Sequence, residues 1–156
     1  MSDVLKPEKA TQRRVIGLFQ DDLGYKFWGD WTDRPDNSNI EDKYLTAWLE
    51  RRGYSSAQIS AALQRLQRAA TNASRSLYAN NEEVYNLLRY GVAVKTEAGK
   101  PSETVQLIAW NDPKANDFAI AEEVTLTGGH ERRPDLVLFV NGIAVGVLEL
   151  KNSRVS

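Results

Sequence analysis

Residues 132–151 read Arg132-Arg133-Pro134-Asp135-Leu136-Val137-Leu138-Phe139-Val140-Asn141-Gly142-Ile143-Ala144-Val145-Gly146-Val147-Leu148-Glu149-Leu150-Lys151. Two apolar runs flank Asn141-Gly142, a dipeptide that favours a tight hairpin turn. Runs so continuously apolar belong to central strands covered on both faces. The stretch therefore predicts a β-hairpin inside a layered α/β domain. Three charges stand at its rims. Asp135 opens the first strand, while Glu149 and Lys151 end the second, two residues apart and so on one face. Charges on buried strands are costly unless paired or metal-bound.

The turn decides what these charges can do together. A two-residue turn pairs Val140 with Ile143, puts Asp135 opposite Leu148 and points Glu149 to the other face. A three-residue turn of Val140-Asn141-Gly142 pairs Phe139 with Ile143 and places Asp135 diagonal to Glu149 on one face, about 7–8 Å apart. A shared cation site requires the second register or a bulge, and the three-residue turn is the expectation. Asp135, Glu149 and the Leu150 carbonyl then form an all-oxygen site suited to Mg²⁺ completed by water. Lys151 stands beside it to orient or deprotonate that water, or to neutralise a phosphate. The structural alternative is a rim salt bridge joining Asp135 or Glu149 to Lys151 or Arg133.

Upstream, Phe118–Leu126, Thr104–Trp110 and Val92–Lys95 read as strands, separated by Asn111-Asp112-Pro113 and Gly99-Lys100-Pro101. Helical spacing predicts helices over Ile40–Arg51, Ser56–Ala70 and Ser74–Arg89, the last breaking at Asn80-Asn81. Asp30–Asn39 reads as a loop and Tyr25–Trp28 as a short strand. Before it, a helix carries Val15, Ile16, Leu18 and Phe19, with Thr11 as its cap and a loose arm preceding Lys9. The order predicts an α/β fold: a mixed central sheet flanked by helices, with a helical insertion (about 38–90) after the first strand and a sheet-rich part at about 92–151. The chain ends one turn past a core strand, so the expectation is a single, incomplete domain cut from a longer protein.

Composition narrows the chemistry. The 156 residues contain no cysteine and one histidine, His130, with 20 bases against 21 acids. Disulfide frameworks, zinc ribbons, thiol nucleophiles and two-histidine metal motifs are excluded. No apolar run approaches the ~20 residues of a membrane span, and Met1–Ala10 is too polar for a signal peptide, so no membrane is expected and the cytoplasm is the expected compartment. The net charge of −1 excludes holding nucleic acid by overall charge alone. It conceals asymmetry: Arg51–Asn81 holds five arginines and no acid, while Asp21–Glu50 holds eight acids and three bases. The basic window reads either as a phosphate-contacting face or as a solvated or docking helix surface.

Pro134-Asp135 with Glu149-Leu150-Lys151 matches the PD-(D/E)xK nuclease motif. In its longer form, the stretch with its apolar strand, Asn-Gly turn and Glu-Leu-Lys ending closely resembles the amino-terminal nuclease domain of the restriction (R) subunit of type I restriction–modification enzymes. The resemblance extends through Asn116-Asp117-Phe118 and Glu122-Glu123-Val124 towards the start of the chain. It implies a restriction-endonuclease-like fold and cleavage of double-stranded DNA with Mg²⁺ or Mn²⁺. Asp135 and Glu149 would be the metal ligands and Lys151 the catalytic lysine. It also implies methylation and specificity subunits as partners. ATP would serve only motor domains beyond this chain, and a Gln-x-x-x-Tyr helix would follow Lys151.

The family also has a supporting glutamate near its first helix. Glu8 matches its position, whereas Glu41, three residues after Ser38, reads as half of a capping box. Arg132 and Arg133 are candidate DNA contacts or partners of rim carboxylates, and His130 reads as a surface residue. Trp28, Trp31, Trp48 and Trp110 read as packing residues rather than a base-stacking platform. The alternative functions are another PD-(D/E)xK nuclease of repair or resolvase type, and a non-catalytic docking module.

Overall fold

A computed structural model of the chain describes residues 6–126 and 133–151. The described residues form four α-helices, a short 3-10 turn (Pro113–Ala115) and six strands: α1 (Lys6–Asp21), β1 (Lys26–Asp30), α2 (Asp42–Arg51), α3 (Ser56–Ala70), α4 (Leu77–Tyr90), β2 (Val92–Val94), β3 (Glu103–Val105), β4 (Phe118–Glu122), β5 (Leu136–Val140) and β6 (Ile143–Leu148). They make the expected mixed α/β fold, compatible with a restriction-endonuclease-like architecture. The chain divides into two compact units, Met1–Glu41 with Asp117–Ser156, and Asp42–Asn116.

The first unit holds a four-stranded sheet in the order β1-β4-β5-β6. β1 runs parallel to β4, and the other pairs are antiparallel. One face packs on α1, where Ile16, Val15 and Phe19 meet Ile120, Leu136, Leu138 and Leu148. The other buries Ala119, Ala121, Val137 and Phe139 under Trp31 and Trp28. The two indoles stack with centroids 5.6 Å apart, and Trp28 lies 4.9 Å from Phe139. β4 and β5 are covered on both faces, as their apolar runs predict, but β6 is the edge strand rather than a central one, with Val145 49% and Val147 54% exposed. α1 begins at Lys6 rather than at a Thr11 cap preceded by a loose arm. Proline is tolerated in a first helical turn, and Glu8 there complements the helix dipole.

The second unit buries Leu45, Trp48 and Leu49 of α2, Ile59, Ala62 and Leu66 of α3, and Val92, Val94 and Val105 of a separate two-stranded sheet, β2-β3. Ser55 caps α3 in a reciprocal box with Gln58. α4 is capped by Ser76 and does not break at Asn80-Asn81, because Asn80 is buried and its Nδ2 donates to the Asn72 carbonyl at 2.9 Å. At Gly91, φ is 88° and an added Cβ would lie 2.6 Å from Thr104 Cγ2, so the helix-to-strand corner requires glycine. The strand expected over Thr104–Trp110 stops at Val105. Beyond it Asn116 takes the place of a neighbouring strand, accepting from Ala109 N at 2.8 Å and donating to Ala109 O at 3.0 Å.

The hairpin corrects the expected three-residue turn. Val140 pairs with Ile143, so the loop is Asn141-Gly142 alone. Its φ values are 52° and 84°, the left-handed pair of a type I′ turn. Asn141 fits because it tolerates that conformation and its Oδ1 accepts from Asp117 N at 2.7 Å. The register then shifts between Leu138 and Phe139: Phe139 pairs with Ala144, and Leu138 with Gly146. Val145 is the extra residue of a β-bulge. Past it, Leu136 pairs with Leu148, and the next position in register sets Asp135 opposite Glu149. The bulge thus does what the longer turn was expected to do.

Candidate active site

Asp135 lies where the β5–β6 ladder ends. Its backbone carbonyl accepts from Glu123 N at 3.0 Å, and its side-chain Oδ2 accepts from Leu150 N at 2.7 Å. The carboxylate therefore ties off β6 in place of a backbone carbonyl, and its direction is fixed while Oδ1 has no hydrogen-bond partner among the described residues. Glu149 is exposed on the facing strand end, and Lys151, two residues on, is also exposed. Neither makes a hydrogen bond or ion pair among the described residues. Leu150 between them packs into the α1 side of the sheet.

A second set of charges gathers at the same end of the sheet. β4 finishes in Glu122 and Glu123, and Glu123 leaves the strand with φ 56°. Glu123 receives Lys9 Nζ at 2.9 Å on one oxygen and Arg133 Nε at 3.1 Å on the other. Gln12, buried on α1, donates to Glu122 Oε2 at 2.7 Å. These bonds bring the first turns of α1, and with them half-buried Glu8, to the β4 end. Arg133 also donates to Thr32 Oγ1 at 2.9 Å. Thr32 in turn bonds Asp30, at the end of β1, through its N–H at 2.8 Å and through its hydroxyl.

The titrations follow from these contacts. Burial works to raise the Glu123 carboxyl, but bonds from Lys9 and Gln12 and the nearby Lys9 and Arg133 charges outweigh it and hold the group below its usual range. The Glu123 hydrogen bond raises Lys9 above its ordinary value, against a smaller opposing effect of burial. The two Thr32 bonds hold Asp30 down.

Glu41 lies elsewhere. It is buried and takes Arg34 in a two-pronged bond at 2.9 and 3.1 Å, while its Oε1 accepts from Ser38 N at 3.2 Å. One arm of the capping box is thus present, and the carboxylate is committed to structure. Trp28, Trp31 and Trp48 pack as expected, whereas Trp110 is 48% exposed with Arg89 over its ring. His130 and Arg132 lie outside the described residues.

The donor set can be tested against a divalent cation. Among the described residues no three His, Cys, Asp or Glu side chains converge as a metal-holding group. Mg²⁺ needs fewer: it is commonly held by one or two carboxylates and keeps several waters. Asp135 and Glu149, opposed in register with oxygens left over, fit that requirement.

A protein-family model, described as the Type I restriction enzyme R protein N terminus, matches residues 5–156. The chain belongs to this family. Among proteins similar to this R-protein N terminus is the HindI type I restriction enzyme endonuclease subunit of Haemophilus influenzae, 36% identical over 80 residues, which is 49% of this chain and 8% of that protein. The MjaIXP and MjaVIIIP proteins of Methanocaldococcus jannaschii, both assigned as type I restriction enzyme endonuclease subunits, are 33% and 32% identical over 76 and 73 residues. Each of those matches covers 45% of this chain and 7% of the relative. The R-protein N terminus thus corresponds to a small part of the curated relatives it matches. No solved structure matches it.

Of the residues singled out in the sequence, the fold brings Asp135, Glu149 and Lys151 to one end of the sheet, and Glu8 lies on the helix turn bonded to the β4 terminus at that end. The sequence reading passed over Gln12 and Lys9. The available signal was a glutamine and a lysine continuing the apolar side of α1 towards its start, a polar end to a stripe that is otherwise core.

Proposed function

We propose that this R-protein N terminus is a Mg²⁺-dependent endonuclease domain that hydrolyses phosphodiester bonds of double-stranded DNA. One observation carries the reading: past the Val145 bulge the ladder ends at the Leu136–Leu148 pair, and the Leu150 N–H donates to Asp135 Oδ2 at 2.7 Å, so Asp135 and the Glu149–Lys151 segment meet at one rim of the sheet. Asp135 and Glu149, with the Leu150 carbonyl, would hold Mg²⁺ or Mn²⁺. The ion when bound supplies Lewis acidity at the scissile phosphate and a more acidic water. Asp135 contributes a carboxylate already aimed by the Leu150 N–H. Lys151, free of protein partners among the described residues, has donors to orient a water or to neutralise phosphate charge. Glu8 supports the site from α1. Arg133, held by Glu123 and Thr32, presents a fixed positive charge beside it, and Arg132 is a further candidate for contact with DNA.

Within the full R subunit this chemistry would work with methylation and specificity subunits and with ATP-consuming motor domains. Calorimetry with Mn²⁺ and Mg²⁺ tests the site. Binding by the wild-type chain that is lost in both Asp135→Ala and Glu149→Ala is the expected result, together with loss of duplex cleavage by the assembled enzyme carrying either change. Cleavage that survives both substitutions would overturn the reading.

A further inference from the structure

The second unit carries a pocket of about 200 Å³ lined by Arg65, Arg68, Ala69, Asn72, Arg75 and Glu83. Three arginines and one glutamate therefore share its lining. Glu83 is shared: one oxygen takes Arg65 and the other Arg75. Arg68 has no ion pair or hydrogen bond among the described residues, so the pocket keeps two uncompensated positive charges. Arg65 and Arg68 are three apart on α3 and lie on one side of that helix. Arg75 comes from the connection to α4, which Asn72 holds in shape. The Asn72 side chain accepts from the Ser74 N–H at 3.0 Å and hydroxyl at 2.6 Å, and its carbonyl accepts from buried Asn80. The arginines are thus mounted on a braced corner rather than on a loose loop.

We propose that this pocket binds a phosphate oxyanion, and that the phosphate is a phosphodiester of the nucleic-acid backbone. Guanidinium forks match the non-bridging oxygens of a phosphate, and a polar, cationic lining does not suit an apolar ligand. The charge of the unit favours the backbone as the source. Asp42–Asn116 holds ten bases against seven acids, net +3, whereas the rest of the chain holds ten against fourteen, net −4. The choice of nucleic acid rests on the nuclease reading above. The pocket itself rests on the arginines. Glu83 acts as an internal competitor, since its carboxylate occupies two of the guanidinium groups that a phosphate would use.

The test measures binding of the whole chain to a labelled duplex of arbitrary sequence, without divalent metal, across a salt series. Arg68→Gln is expected to weaken binding several-fold at low salt and to flatten the plot of log affinity against log salt by about 0.9. Glu83→Gln is expected to tighten binding, the opposite sign from a merely structural loss. A parallel titration uses inorganic phosphate. If Arg68→Gln abolishes phosphate binding but leaves the duplex untouched, the backbone assignment is overturned. If it changes neither, the pocket is overturned. Cleavage assays on Asp135→Ala separate the two readings. Loss of cleavage there with an unaltered Arg68→Gln sinks only the pocket, and persistent cleavage with a weakened Arg68→Gln sinks only the nuclease.

Discussion

Asp135 serves the fold and the proposed chemistry through different atoms. Oδ2 satisfies the Leu150 N–H, which would otherwise lose its partner at a half-buried strand end. Asparagine can keep that acceptor while losing the charge that a cation needs. Asp135→Asn is therefore expected to fold like the wild type but bind no metal, whereas Asp135→Ala should lose about 1–3 kcal/mol in denaturant unfolding as well. Equal stability of the two variants would show that the Leu150 bond contributes nothing. Glu123 gives the pH dependence at this scale. Its folded-state pKa lies below the unfolded value, so its contribution is present above about pH 4.3 and lost as pH falls through the folded value. Glu123→Gln should be less stable than wild type near neutrality, with the gap closing in acid. Lys9 has the opposite sense, being raised: its share is complete below about pH 10.4 and lost as pH rises through the folded value. Unfolding curves of wild type and Glu123→Gln between pH 3 and 7 read the acid limb.

At the scale of elements the hairpin is the informative piece. Its two strands, its turn residues and the rim charges were legible in residues 132–151, because the two-sided burial of β5 and left-handed turn chemistry leave marks on composition; the edge position of β6, with Val145 and Val147 half exposed, was not legible. The bulge was not legible. Its local mark is Gly146 beside the extra residue Val145, and a glycine inside a strand does not by itself say where an extra residue falls. The same limit explains β3, which ends early because Asn116, seven residues away, satisfies Ala109. It also explains α4, where a dipeptide that reads as a break is held in helix by Asn80 reaching back to Asn72. The bulge makes an unusual prediction. Deleting Val145 leaves Phe139 on Ala144 and Leu138 on Gly146, now in an unbroken ladder, so Asp135 still faces Glu149. The deletion variant should fold and bind Mn²⁺, as circular dichroism and calorimetry would show. A folded variant without metal binding would mean that the bend of the bulge, and not only the register, aims the carboxylates.

Over the whole molecule, each unit has its own core, and the proposed roles divide along the same line. The acidic unit carries the strand ends with Asp135, Glu149 and Lys151, and the basic unit carries the arginine pocket. Phe139 is fully buried beneath Trp28 and Trp31. Phe139→Ala should therefore cost about 3–5 kcal/mol in denaturant unfolding. The stacked indoles next to the deleted ring provide a fluorescence probe of that loss. The turn that sets the register has one further consequence, in time rather than in energy. Asn-Gly is a bond that ages: glycine offers little steric hindrance when its backbone nitrogen attacks the preceding side-chain amide, and asparagine is accordingly among the thermolabile residues. In the folded chain Asn141 is fully buried and its amide oxygen is held by Asp117. Unfolding removes that protection. An isoaspartyl linkage formed there would lengthen the backbone within the turn and carry Glu149 out of step with Asp135, so each excursion from the native state draws down the working life of the proposed nuclease.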